Sequence, residues 1–216
     1  MFGTRRVARR SPRPRYDAPM ARVAERSKVA LEDYLVWERQ QPGKHEYFFG
    51  EVFAIAGGSP RHNRLCIRVG SALENALGKK CSVFSADQRL RLGQRRYAYP
   101  DAVVVCGAPI VEHDDVITNP TVVVEVLSAS TEQYDRDLKW EGYRTRDSLT
   151  DYVLVSQDRA RIEHFGRKDA TSDWTYTSAK AGQVVTLTGG TKRDVDAIFD
   201  GVFELKCDAL PVIVEP

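Results

Sequence analysis

Apolar residues recur with helical spacing in two segments of the N-terminal half. In residues 31–40 an apolar stripe is followed by a Pro-Gly pair that ends the pattern. The second segment starts at Ser59, an N-cap residue, and Pro60, which suits the first helical position. Its apolar side chains recur every four positions, at Leu65, Val69, Leu73 and Leu77. The spacing predicts amphipathic helices over residues 31–40 and 60–77.

Runs of branched and aromatic residues predict the strands of a sheet. These runs are residues 46–56, a hairpin formed by 83–92 and 97–106 that turns near Gly93-Gln94, and a core strand at 122–127. A helix then begins at Ser130, with Gln133 at the capping-box position, and ends near Arg144. Short strands at 152–156, 161–165, 174–177 and 184–187 precede a last helical piece at 195–199. This order predicts an α/β fold in which helices pack on a mixed sheet.

The chain of 216 residues suits one domain, predicted at 27–216, after an N-terminal arm. Residues 1–26 contain eight arginines and two acidic residues, a net charge of +6, which leaves −4 for the rest. The composition of this arm predicts disorder. It is either a nucleic-acid-binding arm or an upstream extension before a start at Met20, with a transit peptide as a third alternative. No apolar run is long enough to span a membrane and no secretory signal follows the basic start.

The four cysteines show neither a C-x-x-C pair nor zinc-finger spacing. Cys66, Cys81, Cys106 and Cys207 are scattered, and two of them lie in apolar runs. We predict buried free thiols in a reducing cytoplasm rather than disulfides.

Two acidic residues in apolar strands are the strongest chemical signal. Glu125 lies inside Val122–Leu127, a run typical of a strand buried on both faces, where an unpaired carboxylate costs several kcal/mol. Asp101 opens the preceding run directly after Pro100. Neighbouring strands lie about 4.8 Å apart. Both carboxylates could therefore share one divalent cation, although a salt-bridged glutamate and a turn aspartate are the simpler alternatives.

The helix after Glu125 contributes the third candidate residue. Asp135, Lys139 and Tyr143 follow each other at four-residue spacing and share one helix face. Alone, the spacing fits a solvated Asp–Lys pair. Beside a two-carboxylate metal site, Lys139 could orient the attacking water and stabilise charge on a phosphate.

Other polar residues near these strands have weaker signals. His62 lies in the first turn of the helix at 60–77 and is either a capping residue or a contact to phosphate or to a metal ligand. Arg89 and Arg91, with Arg95 and Arg96, could line a groove for a phosphodiester backbone or be ordinary solvated residues. Gln88 stands where the hairpin could approach a cation.

Several motifs taken together resemble the Uma-type putative restriction endonuclease family of the PD-(D/E)XK nuclease superfamily. The resemblance covers residues of about 28–200. It rests on the order of Gly50-Glu51-Val52, Gly57-Gly58-Ser59-Pro60-Arg61-His62-Asn63-Arg64, Tyr99-Pro100-Asp101, Asn119-Pro120-Thr121, Glu125-Val126-Leu127-Ser128 and Ser130-Thr131, then Asp135, Lys139 and Tyr143.

The resemblance implies a restriction-endonuclease-like core and names its site residues. Asp101 and Glu125 match the motif acids, and Glu51 matches an acid often found as a further metal ligand. Leu127 occupies the position of the usual motif lysine, so the resemblance makes Lys139 its replacement on the following helix. Phe49 and Ala129 differ from the common family residues.

These observations predict a cytoplasmic, Mg²⁺- or Mn²⁺-dependent endonuclease that hydrolyses DNA, with a homodimer as one open arrangement. Asp101, Glu125 and Lys139 would be catalytic. Two alternatives belong to other classes. One is a nucleic-acid-binding protein with the same fold and little turnover. The other is a protein-interaction module in which Glu125 pairs with a lysine or arginine without metal.

Overall fold

The computed structural model describes residues 28–205, which form two mixed sheets with helices around them. The predicted arm at 1–26 and Cys207 lie outside the described residues. The elements, in chain order, are α1 (Leu31–Glu38), β1 (His45–Phe48), β2 (Glu51–Ala54), α2 (Pro60–Leu77), β3 (Cys81–Ser85), β4 (Arg89–Gly93), β5 (Arg96–Ala98), β6 (Ala102–Cys106), β7 (Val111–Glu112), β8 (Val116–Ile117), β9 (Val122–Leu127), α3 (Glu132–Tyr134), a π-helical turn (Asp135–Lys139), α4 (Trp140–Tyr143), β10 (Asp151–Ser156), β11 (Arg161–Gly166), β12 (Thr175–Lys180), β13 (Val184–Thr186), β14 (Lys192–Asp194) and α5 (Val195–Phe199).

The larger core forms on the two faces of the sheet ordered β12-β11-β10-β9-β6-β3. Its central pair, β9 and β10, is parallel, and the other pairs are antiparallel. Every residue of β9 is buried. Val122, Val124 and Val126 pack toward α2, whereas Val123 and Leu127 pack toward the opposite face. The prediction of a strand buried on both faces is confirmed, and side-chain alternation directs Glu125 to the face opposite α2.

The second sheet, ordered β2-β1-β5-β4-β8-β7, covers that opposite face together with residues 132–143. The β1–β2 hairpin turns at Phe49 and Gly50, both of which have positive φ. Glycine tolerates this region, whereas it is uncommon for phenylalanine. In the hairpin register Glu46 pairs with Phe53 and Phe48 with Glu51, so these four residues lie on the same face.

Helix α2 begins and ends where the sequence predicts. Ser59 Oγ accepts a hydrogen bond from the backbone N–H of His62 at 3.1 Å, and Pro60 is the first helical residue. Leu65, Val69 and Leu73 are buried against the sheet. The cap and apolar stripe therefore fix the orientation of His62 and Cys66, which lie one turn apart on the helix.

The predicted hairpin of residues 83–106 divides between the two sheets. Its tip forms β4 and β5, which turn after Gly93 as expected, but its base forms the β3–β6 pair of the other sheet. The break falls at residues 86–88 on one side and at 99–101 on the other. Pro100 lacks an N–H and cannot continue a ladder. As a result, Asp101 lies where the chain crosses from one sheet to the other.

The predicted start of the helix after β9 was wrong in its capping. The helical segment after β9 begins with Thr131 as its N-cap, without a side-chain capping bond, rather than with the capping box of Ser130 and Gln133. Instead, the hydroxyls of Ser128, Ser130 and Thr131 bond with each other. The segment also contains a π-helical turn, a feature frequently found at functional sites.

The prediction of free thiols was wrong for the pair Cys81 and Cys106, which form a disulfide. These residues are direct partners in the antiparallel pairing of β3 and β6. The spacing along the sequence did not reveal this, since the two positions are 25 residues apart and meet only through the sheet. Cys66 is the free cysteine within residues 28–205.

Candidate active site

Four buried charged residues meet on the face of β9 opposite α2, and we call them the Lys139 cluster: Glu46, Glu125, Asp135 and Lys139. The Lys139 ammonium lies 3.2 Å from Glu46 Oε1, 3.2 Å from Glu125 Oε1 and 3.1 Å from Asp135 Oδ1. The Tyr143 hydroxyl donates to Glu125 Oε1 at 2.9 Å. The structure thus brings together Glu125, Lys139 and Tyr143, as the helix spacing and the resemblance predict.

Glu46 is the member of this cluster that the sequence reasoning missed. It is 3% exposed, and besides contacting Lys139 it accepts a hydrogen bond from the backbone N–H of Tyr99 at 2.9 Å. The signal available in the sequence was an acidic residue within an aromatic strand. Glu51, which the resemblance matches to a further metal ligand, is half-buried at the start of β2. It lies on the same face of the hairpin as Glu46.

Asp101 lies at the edge of the Lys139 cluster, between β9 and α2. Extending the β6–β9 register by one residue places Asp101 opposite Glu125. Its Oδ2 accepts a hydrogen bond from the backbone N–H of Val126 at 2.7 Å and lies 3.4 Å from His62 Nε2. Directly opposite residues of an antiparallel pair have Cβ atoms about 5 Å apart. The two predicted metal ligands are therefore neighbours in the sheet.

The pKa values of the carboxyls at this site shift in opposite directions. Burial raises the pKa of Glu125 well above its usual value, and nearby acids add to the rise while Lys139 opposes it. Burial likewise raises the pKa of Asp135 against the effect of Lys139. Burial acts in the same direction on Asp101, but the hydrogen bonds from His62 and Val126 outweigh it and lower the pKa of that carboxyl. Asp101 is thus ionised near neutral pH, whereas Glu125 and Asp135 favour proton uptake.

The charge on Lys139 is stabilised by its three partners. Burial disfavours the ammonium, but Glu125, Glu46 and Asp135 outweigh burial and raise the pKa of Lys139 well above its usual value. Near Asp101, burial lowers the pKa of the His62 imidazole, and its contact with the Asp101 carboxylate outweighs this effect and raises the pKa.

Three further candidates, Arg89, Gln88 and Arg91, bond to other residues of the protein. Arg89 is 4% exposed, and its guanidinium contacts Glu38, Tyr99 and Asp115. This placement differs from the predicted lining of an open groove.

Gln88 donates to the backbone carbonyls of Arg89 and Asp115, at 3.0 and 2.8 Å. Arg91 is half-buried and pairs with Glu112 at 2.6 Å. Of the neighbouring arginines, Arg96 lies over the Phe49 ring at 4.5 Å.

An open groove runs along α2 and β3 and reaches Asp101. Residues on its walls include Asn63, Cys66, Ser85 and Asp101. Asp101 and His62 each keep about 15% of their side-chain surface exposed, at 16% and 15%. Asp101 thus lies on the wall of the groove, whereas the members of the Lys139 cluster are buried.

Comparisons with known proteins identify the family of this chain. The model of the Uma2 family, described as "Putative restriction endonuclease", matches residues 31–195. Two Synechocystis proteins described as uncharacterized are similar. One is 35% identical over 178 residues, covering 81% of this chain and 93% of its own. The other is 33% identical over 159 residues, covering 72% of this chain and 89% of its own.

The fold is also shared with a solved structure. A crystal structure from Anabaena variabilis, described as a putative nuclease belonging to DUF820, superposes with a TM-score of 0.65 at 14% identity. The match covers 81% of this chain and 99% of that one. Within residues 28–205, no helix is long and apolar enough to cross a membrane. The chain has a restriction-endonuclease-like α/β fold and belongs to the Uma2 family of putative restriction endonucleases.

Proposed function

We propose that the protein is a divalent-metal-dependent endonuclease that hydrolyses phosphodiester bonds in DNA. The observation that carries this proposal is the charge of the Lys139 cluster. Three buried carboxylates surround one buried ammonium, and Asp101 lies beside them. When fully ionised the cluster has an excess of two negative charges. Burying such an excess is costly unless protons or a cation offset it.

The residues present fit a hard divalent cation. Carboxylate oxygens are the ligands that Mg²⁺ and Mn²⁺ prefer, and two of them come from adjacent positions in neighbouring strands, Asp101 and Glu125. Glu51, and now Glu46, are candidates for a further ligand, because both lie on the hairpin face that covers the cluster. A cation here would replace the protons that the raised pKa values of Glu125 and Asp135 otherwise favour.

A plain internal salt bridge is the main rival explanation. The contact between Glu125 and Lys139 matches what that alternative predicts. However, one lysine balances one acid, and here it contacts three. A structural ion pair is expected to be neutral overall, because an uncompensated buried charge costs several kcal/mol. The excess of carboxylates therefore favours a metal-binding function.

In the proposed reaction, each residue of this chain has a distinct task. Asp101 and Glu125 would hold the cation, which lowers the pKa of a bound water and offsets the charge of the phosphate. Tyr143 holds the Glu125 carboxylate by its hydroxyl, and His62 holds that of Asp101. Lys139 would orient the nucleophilic water and stabilise negative charge that develops on the phosphate.

Two observations support DNA as the substrate. The family description refers to restriction endonucleases, and the groove along α2 gives a phosphodiester a path to Asp101. The body of the chain is mildly acidic, so the arginine-rich arm would supply much of the attraction for phosphates.

The experiment is a cleavage assay on single-stranded, duplex and branched DNA, and on RNA, with Mg²⁺, Mn²⁺ or a chelator. Wild type should cleave DNA only with metal. Asp101→Asn and Lys139→Ala should each lower the rate by about 100-fold or more, as loss of one charge-stabilising group does in other enzymes. Asp87→Asn, the same change at an exposed carboxylate, is the matched control.

DNA binding measured in parallel separates turnover from recognition. Asp101→Asn should still bind duplex DNA in an electrophoretic shift assay. A wild type that binds DNA but cleaves none of the substrates would favour the binding protein with little turnover. Cleavage by Lys139→Ala at the wild-type rate would contradict the role given to that lysine.

A further inference from the structure

Three chemically different metal ligands meet on the α2 side of Asp101. His62 and Cys66 are one helical turn apart, and His62 Nδ1 lies 3.5 Å from Cys66 Sγ. On the other side of the ring, His62 Nε2 lies 3.4 Å from Asp101 Oδ2. One ligand atom from each residue can be chosen so that all three lie within 4.8 Å of one another.

The first turn of α2 and the small size of Gly58 place the His62 ring between the other two ligands. The Ser59 cap holds the first turn of α2. A Cβ atom at Gly58 would lie only 2.6 Å from His62 Nδ1, so only glycine leaves room for the ring in its present place. The imidazole is therefore held between the thiol and the carboxylate.

A tetrahedral transition-metal ion sets the separations that the three ligand atoms must reach. With zinc bonds of about 2.3 Å to sulfur and about 2.1 Å to nitrogen and oxygen, tetrahedral angles place sulfur about 3.6 Å from nitrogen and nitrogen about 3.4 Å from oxygen. At present the two contacts of His62 use different ring nitrogens, Nδ1 toward Cys66 Sγ at 3.5 Å and Nε2 toward Asp101 Oδ2 at 3.4 Å. One ion takes one of these nitrogens. Because one ligand atom from each residue lies within 4.8 Å of the others, binding requires the ring to turn toward the ion and the ligand atoms to approach by up to about 1 Å.

We propose that His62, Cys66 and Asp101 bind Zn²⁺ or a similar soft divalent ion at a second site, which overlaps the proposed hard-cation site at Asp101. Thiolate and imidazole ligands select zinc over magnesium, which prefers oxygen alone. Three protein ligands leave a fourth coordination position for water or a phosphate oxygen.

This site shares Asp101 with the proposed catalytic cation. Zinc bound there would compete for the Asp101 carboxylate, so micromolar zinc should inhibit Mg²⁺-dependent cleavage. This consequence rests on the proposed function, whereas zinc binding itself does not. Direct measurement of the metal complex therefore distinguishes failure of the zinc site from failure of the nuclease assignment.

The test uses Co²⁺ as a spectroscopic probe for Zn²⁺, on the full chain without added thiols. A cobalt–thiolate bond gives a sulfur-to-metal charge-transfer band in the near ultraviolet, which Zn²⁺ should abolish by displacement. Cys66→Ser should remove the band and weaken zinc binding by more than about 100-fold, because loss of a residue that merely orients a ligand already costs about 10–100-fold. His62→Gln should weaken it similarly.

Matched controls identify the sulfur. A variant with Cys81, Cys106 and Cys207 all changed to serine keeps Cys66 and should keep the band. Cys66→Ala provides a second test if the serine variant folds poorly, as judged by circular dichroism. Absence of the band in wild type, or its persistence in a folded Cys66 variant, would overturn the zinc site. Mg²⁺-dependent cleavage by Cys66→Ser that no longer responds to zinc would support the competition.

Discussion

Replacing Lys139 by methionine tests the charge argument most directly. Methionine fills a similar volume but lacks the ammonium that contacts Glu46, Glu125 and Asp135. Removal of one partner from a buried ion pair costs about 3–5 kcal/mol, because the remaining charge stays buried. For a chain of this size 1 kcal/mol corresponds to about 2–4 °C in Tm, so the variant should melt about 6–20 °C lower without metal.

The loss of unfolding free energy in Lys139→Met should depend on pH. The direction of this dependence follows from the raised pKa values of the carboxyls. At acid pH, below the usual pKa of the carboxyls, Glu125 and Asp135 are protonated in the folded and unfolded states alike, and the lysine matters least. As pH rises, the raised pKa values let folded wild type keep protons that the unfolded chain releases, and Lys139 opposes this retention. Without the ammonium both pKa values rise further, so the folded variant keeps these protons to a higher pH than folded wild type. The difference in unfolding free energy between wild type and Lys139→Met should therefore grow as pH rises above the wild-type pKa values of the two carboxyls.

Thermal and urea unfolding in a chelating buffer measure this difference. Lys44→Met is the matched control, because Lys44 pairs with the exposed Asp87 at the surface, where ion pairs contribute about 0–1 kcal/mol. Saturating Mg²⁺, at about 100 times its Kd, should restore about 2.7 kcal/mol to any variant that still binds it. Equal losses for both lysine variants, or a loss at Lys139 that is constant with pH, would refute the reasoning.

Asp101→Asn should lower the free energy of unfolding by about 1–3 kcal/mol above about pH 5, because the carboxylate accepts a hydrogen bond from Val126 and pairs with His62. The loss should vanish in acid as wild-type Asp101 is protonated; equal urea midpoints for both proteins at neutral pH would contradict this. Tyr143→Phe should lower the free energy of unfolding by about 1–2 kcal/mol in the same urea assay, since it removes a buried hydrogen-bond donor to Glu125. An unchanged urea midpoint would show that this hydrogen bond contributes nothing to stability. Changing Cys81 and Cys106 together to serine should cost about 3–4 kcal/mol under non-reducing conditions, from the entropy of closing a loop of 25 residues. If dithiothreitol destabilises wild type but not this double variant, the disulfide is the cause.

Local patterns alone determined several parts of this protein. The cap at Ser59 and the four-residue stripe fixed helix α2, and the unbroken apolar run fixed β9 as a strand buried on both faces. Both signals are readable because they depend on residues near each other in the chain. An acid inside such a strand indicated a site before any contact was known, because burial of its charge requires a partner.

The partners themselves were decided only by the tertiary structure. The resemblance named Glu51, and the hairpin register and the packing of residues 132–143 add Glu46, which contacts Lys139. The disulfide depends on the pairing of β3 with β6, and the division of the predicted hairpin depends on a second sheet that its tip joins. Periodicity shows which face of an element is apolar. It does not show which residue of a distant element lies across from it, since that depends on how separate elements fill one shared core.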